Sequence, residues 1–223
     1  NFSTNASMLT KEKSAEILEA GLDEIILSID YIDKINYEKT RKGLNYETVI
    51  KNIENFFEVR DKIKPETTVR VRGVALNGVS IQEQKEEIIL WENFWKRFQK
   101  PHDRIYKKPT HNWGNQVEVE PNALLDSLLD NQKGSEDIYH PCVIPWTTFH
   151  VTAMGTVPLC PVDYDAAINL GNVNTESIAN IWRSAKWDEI RRLHQSGNSN
   201  EINLCRECKI FDTDFTLEDK TVE

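Results

Sequence analysis

Four cysteines constrain this chain more than any other feature. Cys142, Cys160, Cys205 and Cys208 are the only cysteines in 223 residues. Cys205-Arg206-Glu207-Cys208 is a C-x-x-C, and Cys142 and Cys160 enclose Gly155 in a C-x12-G-x4-C spacing. Two thiols two residues apart ligate one centre from a single tight turn, and two more from a separate segment complete a tetrahedral set. A structural zinc ion, an iron–sulfur cluster and a pair of disulfides all accept four cysteines. Spacing alone leaves the three open. Zinc ribbons more usually show two C-x-x-C pairs, and the first pair here is not one.

The length suffices for one large domain or two small ones. A formal net charge of −9 argues against nucleic acid as the main partner, because phosphate binding needs clustered Lys and Arg. The only tight basic group, Arg191-Arg192, reads as a solvated helix face. No apolar run approaches the roughly 18 residues of a membrane span, and no secretory signal is visible. No membrane partner is therefore expected. Few cysteines and no export signal point to a reducing cytoplasm, where clustered thiols favour metal over disulfide. The chain opens on Asn1 and its first methionine is Met8, which reads as a cut inside a longer protein.

Hydrophobic patterning divides the chain. Residues 1–4 read as the end of a strand, and Thr10 opens a helix that Gly21 ends. Glu24–Ile29 is a near-continuous apolar run, as expected of a strand buried on both faces, with Asp30 at its carboxyl end. A helix is expected over Tyr46–Lys62, a strand over Thr67–Leu76, a long helix over Ile81–Phe98 and a short strand over Arg104–Lys107. Strand and helix thus alternate, which means an α/β fold of parallel units with ligands at the carboxyl ends of the strands. The polar residues at that rim are Ser3, Asn5, Ser28, Asp30, Asn77 and the loop from His111 to Asn115. Singly, each also suits ordinary turn chemistry.

Residues 116–138 read as a connection, with a short helix over Pro121–Leu129 and a polar boundary loop at 131–137. Beyond it, Thr147–Thr152 and Val157–Cys160 flank a Gly-containing bend and are expected to pair as a β-hairpin. Gly171-Asn172 reads as a turn. Thr175 is expected to cap a helix bearing Ile178, Ile181 and Trp182. A second helix follows with Trp187, Ile190 and Leu193 as a packing stripe. The residues from Asp212 onward form an acidic tail.

Two stretches resemble the radical S-adenosylmethionine (SAM) enzymes that carry a C-terminal SPASM or twitch domain. The first comprises Ser3-Thr4-Asn5-Ala6, Met8-Leu9-Thr10, Glu19–Glu24, Ser28-Ile29-Asp30 and Tyr37–Arg41, which is similar to the family's third and fourth βα units. The second comprises Pro141-Cys142, Gly155-x4-Cys160-Pro161, Gly171-Asn172-Val173, Ile181-Trp182 and Cys205-x2-Cys208, which is similar to the auxiliary-cluster module. No further cysteines follow, so the resemblance implies one auxiliary cluster, the twitch arrangement of small dehydrogenases. The family's C-x3-C-x2-C loop and its G-G-E-P-like segment are absent.

The resemblance implies a partial (β/α)6 barrel, represented by its second half over residues 1–120. A linker at 121–138, a small β-hairpin-plus-helices twitch domain at 139–211 and a flexible tail at 212–223 complete the layout. It implies that Cys142, Cys160, Cys205 and Cys208 hold an auxiliary [4Fe-4S] cluster. It implies that Asn5, Ser28, Asp30 and Arg41 line a SAM site, with Arg41 pairing the SAM carboxylate and Ser28 meeting its ribose or carboxylate end. His111, as a catalytic proton-transfer group, and Trp113 are candidates to meet substrate, with Asp163 and Tyr164 beside Cys160 as further ones. A second [4Fe-4S] cluster would belong to a missing N-terminal half, supplied in cis or in trans. That cluster would reduce SAM to a hydrogen-abstracting radical, and the auxiliary cluster would accept an electron from the substrate. Partners implied are a small-molecule or peptide substrate and an electron donor such as flavodoxin or ferredoxin. Carbohydrate or aminocyclitol dehydrogenation and peptide modification are the two chemistries implied. The alternatives are a non-catalytic iron–sulfur electron-transfer or scaffold subunit and a zinc-stabilised binding protein.

Overall fold

Four parallel strands form the first layer, and they lie in chain order: β1 (Phe2–Thr4), β2 (Glu24–Ser28), β3 (Thr68–Val74) and β4 (Arg104–Lys108). The computed structural model describes residues 1–75, 78–108, 110, 112–114, 116–118, 141–206 and 208. Residues 1–110 belong to one compact unit, and the described residues from 112 onward to a second.

In the first unit, helices α1 (Lys11–Glu19), α2 (Lys34–Thr40), α3 (Tyr46–Ile63) and α4 (Ile81–Lys96) connect the strands. Thr10, Asp33, Asn45 and Ser80 start them by accepting a backbone N–H three residues on. These side chains satisfy donors that a helix's first turn leaves without partners. Ser80 and Glu83 complete a reciprocal capping box. Helix α2 escapes the sequence reading because it has no apolar stripe; Tyr37 is its only buried residue.

Alternation sets the two faces of the sheet. Ile25, Leu27, Ile29, Val69, Val71 and Ile105 are buried and pack with Ile53, Phe56, Trp91 and Trp95 of the helices. The opposite face carries the registered rows Ser3–Ile26–Arg70–Arg104, Ser28–Arg72–Tyr106 and Val74–Lys108. Opposite residues of paired strands point the same way, so each row shares one side of the sheet.

Below this sheet, Arg60 is fully buried and its guanidinium grips both Asp103 carboxylate oxygens at 3.0 Å. Asp103 also accepts Val69 N–H at 2.8 Å, and Arg60 donates to Thr67 O at 3.1 Å. The pair therefore joins α3 to the starts of β3 and β4.

The second unit departs from the hairpin expected of its sequence. Residues 144–147 form a helical turn, α5 (Ile144–Thr147), with proline in its first turn. Thr147 and Thr148 donate their hydroxyls back to the carbonyls of Val143 and Ile144. The strand β5 (Thr156–Pro158) instead pairs antiparallel with β6 (Asn169–Asn172), and its register shifts at Val157/Pro158. Proline has no N–H for the ladder, which accounts for the irregularity at that point. Thr152 closes the Gly155 turn, without a partner strand, through Gly155 N to Thr152 O at 2.9 Å. Asn172 ends β6, so Gly171-Asn172 is strand and not the turn read from the sequence. Helix α6 (Ile178–Trp182) is capped by Ser177 rather than Thr175, whose hydroxyl bonds Asn172 O. Helix α7 (Ala185–Gln195) buries Trp187, Ile190 and Leu193, as its stripe requires. The expected 121–129 helix, the 131–137 loop and the tail lie outside the described residues.

Candidate functional site

The four cysteines belong to the second unit, and each is half-buried and free of a disulfide. Cys142 precedes α5. Cys160 follows β5, and Cys205 and Cys208 lie on a turn closed by Cys208 N–H to Cys205 O at 3.2 Å. Their surroundings are apolar: Cys160 and Cys205 pack on a core of Val157, Leu159, Leu170, Trp187, Ile202 and Leu204. Burial pushes the Cys160 thiol up to about 11, and the Cys205 thiol up to about 12. The neighbouring thiols Cys160, Cys208 and Cys142 add to the shift at Cys205. The other three thiols thus each lie close enough to Cys205 for their charge to be felt there.

Backbone amides oppose that shift. Ile144 N–H is directed at Cys142, and the N–H groups of Val162 and Asp163 are directed at Cys160. Amides aimed at a sulfur stabilise its thiolate, and in iron–sulfur proteins such bonds tune the cluster. Among the described residues no group of three or more His, Cys, Asp or Glu has the spacing of a single metal ion. A tetrahedral zinc site needs four sulfurs each about 2.3 Å from one point, whereas a cubane holds its four thiolates on four separate corners. Four half-buried thiols, two of them with amide donors and two packed on apolar walls, suit the donor set of an iron–sulfur cluster.

Asp163 is 1% exposed and turns inward. Its carboxylate accepts the N–H groups of Leu159, Ala167 and Ile168 at 3.3, 2.7 and 3.1 Å. It organises the loop after Cys160 and does not face a ligand, contrary to the sequence expectation. Tyr164 is exposed and meets Trp113 edge to face, ring centroids 5.7 Å apart. The sequence singled out both, and the structure brings them together. Trp113 adopts φ 51°, a conformation that bulky side chains rarely take. Gln116 fastens this loop to the cysteine loop by donating to Trp113 O and Val162 O, both at 2.7 Å. Gly114 presses on Leu204 so closely that a Cβ would lie 2.8 Å from it.

Of the expected rim residues, Ser3, Asn5, Ser28 and Asp30 belong to the first unit, whereas Asn112, Trp113 and Gly114 belong to the second. Ser3 and Ser28 hydroxyls are 3.1 Å apart across β1 and β2. Asn5 accepts Ser7 N–H at 3.0 Å and the Ser7 hydroxyl at 2.8 Å, closing its own turn. Ala6 follows at φ 60°, and its carbonyl is held by the Asn52 amide at 2.9 Å. Asp30 accepts Arg41 Nε at 2.8 Å and Nη2 at 2.6 Å on one oxygen, and Val74 N–H at 3.1 Å on the other. Arg41, whose side chain is 33% exposed, is thus anchored at the end of β2. His111 and Asn77 lie outside the described residues.

One buried group escaped the sequence reading. Lys107 has a fully buried side chain whose amine donates to Asp30 O at 2.7 Å and to Glu87 Oε1 at 2.5 Å. It lies over the rings of Trp91 and Tyr31 at 5.3 and 5.5 Å. Trp91 donates to Ile29 O at 3.0 Å, so α4 and β4 each hold the end of β2. Gly73 makes room: a Cβ there would lie 2.9 Å from Ile29 O and 3.2 Å from Lys107 Cε. Burial lowers the Lys107 pKa and raises that of Glu87, and their mutual attraction opposes both shifts. A mid-strand glycine opposite a helix-facing lysine is the signal that could have revealed it.

Three comparisons agree with the family resemblance. Residues 142–209 match the SPASM family, described as an iron-sulfur cluster-binding domain. The S-adenosyl-L-methionine-dependent 2-deoxy-scyllo-inosamine dehydrogenase of Niallia circulans is 27% identical over 81 residues, which is 36% of this chain and 32% of that protein. Native anSMEcpe with bound AdoMet and Cp18Cys peptide shares the fold at TM-score 0.55 and 15% identity, over 93% of this chain and 65% of that one. Native anSMEcpe with bound AdoMet alone gives 0.51 and 14%, over 93% and 64%. The chain thus spans less than two thirds of these relatives. It is similar in sequence pattern and in fold to radical SAM enzymes with a SPASM domain.

Proposed function

We propose that this chain is the C-terminal portion of a radical SAM oxidoreductase. In this reading Cys142, Cys160, Cys205 and Cys208 hold one auxiliary [4Fe-4S] cluster. What supports it is the gathering of three thiols about Cys205, with amides of Ile144, Val162 and Asp163 directed at two of the four cysteines, inside the segment that matches an iron–sulfur domain. When bound, the cluster supplies a one-electron acceptor for substrate oxidation, and SAM together with a second cluster outside this chain supplies the hydrogen-abstracting radical.

The chain's own residues bind and orient. Ser28 offers a hydroxyl at the end of β2 for SAM, and Asn5 shapes the neighbouring rim. Asp30 fixes the Arg41 guanidinium, which takes the SAM carboxylate; a planar fork suits that task. Trp113 and Tyr164 present aromatic surface for substrate, and His111 is the proposed proton-transfer group. The substrate is a small molecule or peptide, with carbohydrate- or aminocyclitol-type dehydrogenation favoured by the named relative. The setting is a reducing cytoplasm with flavodoxin or ferredoxin as reductant.

Anaerobic reconstitution followed by iron and acid-labile sulfide analysis tests the cluster. About four of each per chain are expected, and Cys160→Ser or Cys205→Ser should lower both. Tightly bound zinc without sulfide would sink the reading.

A further inference from the structure

The face of the sheet turned away from the helices carries a charge opposite to that of the whole chain. The protein has 36 acidic and 27 basic side chains. Yet the registered rows place Arg70, Arg72, Arg104 and Lys108 together on this face. The one carboxylate with them, Glu24, is already bound to Arg70, at 2.6 Å from Nη2 and 2.8 Å from Nε. Tyr106 lies beside Arg72 in register and is itself buried. Among the described residues no carboxylate pairs with Arg72, Arg104 or Lys108. Arg72 and Lys108 are only partly exposed, so neither is a fully solvated surface charge.

Arg72 occupies the middle of this face. Ser28 is its register partner on one side and Tyr106 on the other. Lys108 lies one row nearer the carboxyl ends, about 7 Å along the strand. Gathering cations on a sheet face opposes folding by mutual repulsion, and a bound anion relieves it. A guanidinium beside hydroxyls, with an ammonium one row on, offers several donors to one oxoanion. The same field repels an ammonium group.

We infer that Arg72 and Lys108 recognise an oxoanion, phosphate or carboxylate, carried by the small-molecule substrate. This inference rests on reading the sheet face as the substrate face of a radical SAM enzyme. It deepens that reading by selecting an acidic substrate over a free aminocyclitol. The sequence already holds the signal: Val69-Arg70-Val71-Arg72 alternates with the buried positions, and Arg104, Tyr106 and Lys108 do the same one strand on.

The test uses the anaerobically reconstituted chain and titration calorimetry. Inorganic phosphate is the anionic probe and cyclohexylamine the cationic ring. Phosphate should bind and cyclohexylamine should not. Arg72→Gln and Lys108→Gln should each weaken phosphate about tenfold, Arg72→Lys should retain part of it, and Arg183→Gln, exposed in the second unit, should change nothing. Equal phosphate affinity in the parent and in an Arg72→Gln/Lys108→Gln double variant overturns the inference, as does preferential binding of cyclohexylamine or no phosphate heat in the parent. A loss of SAM affinity with phosphate unchanged would assign Arg72 to the cofactor carboxylate instead. A fall in thermal midpoint with phosphate unchanged would make it a structural residue. Iron and sulfide content is independent of all these outcomes, so failure of the cluster reading is recognised separately.

Discussion

Replacing Lys107 with methionine keeps its length and apolar stem and removes one buried charge. The amine it deletes is the partner of Glu87 at 2.5 Å and of Asp30 O at 2.7 Å, with no side-chain exposure. Glu87 is then left mostly buried without its cation. Breaking one partner of a buried pair costs about 3–5 kcal/mol, while replacing both by apolar groups of similar size is often near neutral. Lys107→Met should therefore destabilise by about 3–5 kcal/mol, and Glu87→Leu/Lys107→Met should recover most of that loss. With a urea dependence of about 2 kcal/mol per molar, the midpoint of Lys107→Met falls by roughly 2 M. The pH dependence has a defined sign. Burial raises the folded-state pKa of Glu87, and the attraction of Lys107 holds it down. Without Lys107 the pKa rises further, so the folded state retains a proton that the unfolded carboxyl loses above about 4.3. Stability of the variant then declines as pH rises from there toward the raised pKa, and its defect is smaller at pH 5 than at pH 8. The assay is urea unfolding followed by tryptophan fluorescence, since Trp91 borders the amine. A Lys107→Met variant within about 0.5 kcal/mol of the parent, or a double variant no better than the single, would refute the reasoning.

Gly155→Ala should destabilise the second unit by about 1–3 kcal/mol, because Gly155 has φ 80° and a Cβ would lie 2.3 Å from Asn174 Nδ2; thermal unfolding with iron content measures it. Burial lowers the pKa of His194, which is 2% exposed with Nδ1 unpartnered among the described residues. Its contribution is present above the unfolded value of about 6.5 and is lost as pH falls through the depressed folded value, so His194→Phe should flatten the acid limb of a stability–pH profile. The cluster-free chain should lose stability as pH rises above about 8.5, because the folded state holds the protons of Cys160 and Cys205 that the unfolded thiols release; alkaline urea midpoints check this. Chelating the iron should lower the thermal midpoint of the second unit while leaving the first unchanged, since metal binding is folding energy for such domains.

Much of the first unit was legible because its strands carry β-branched and other apolar residues at the positions that turn to the helices, and their helices announce themselves by caps. Helix α2 was not, since a single buried tyrosine gives no period to detect. The hairpin expected at Thr147–Cys160 failed for a related reason. Thr-rich segments suit strands, but whether one becomes a strand depends on a partner, and β5 found Asn169–Asn172 instead. For the site, cysteine spacing marked four candidate ligands but left zinc, cluster and disulfide open. It could not say whether Asp163 would face a ligand or, as it does, hold three backbone amides.

What the sequence by itself determined is the ligand chemistry. Four cysteines and no spares supply the candidate ligands of one site, and alternation in Val69–Arg72 assigns two arginines to one face whatever surrounds them. Tertiary structure decided which charges meet. Arg41 reaches Asp30 across 11 positions, and Lys107 reaches Asp30 O across 77. Such pairings follow from strand order, register and the room Gly73 leaves, none of which is encoded at the positions of the charges themselves. The same holds for the amides directed at Cys142 and Cys160. They are generic backbone groups, and only the fold aims them at sulfur.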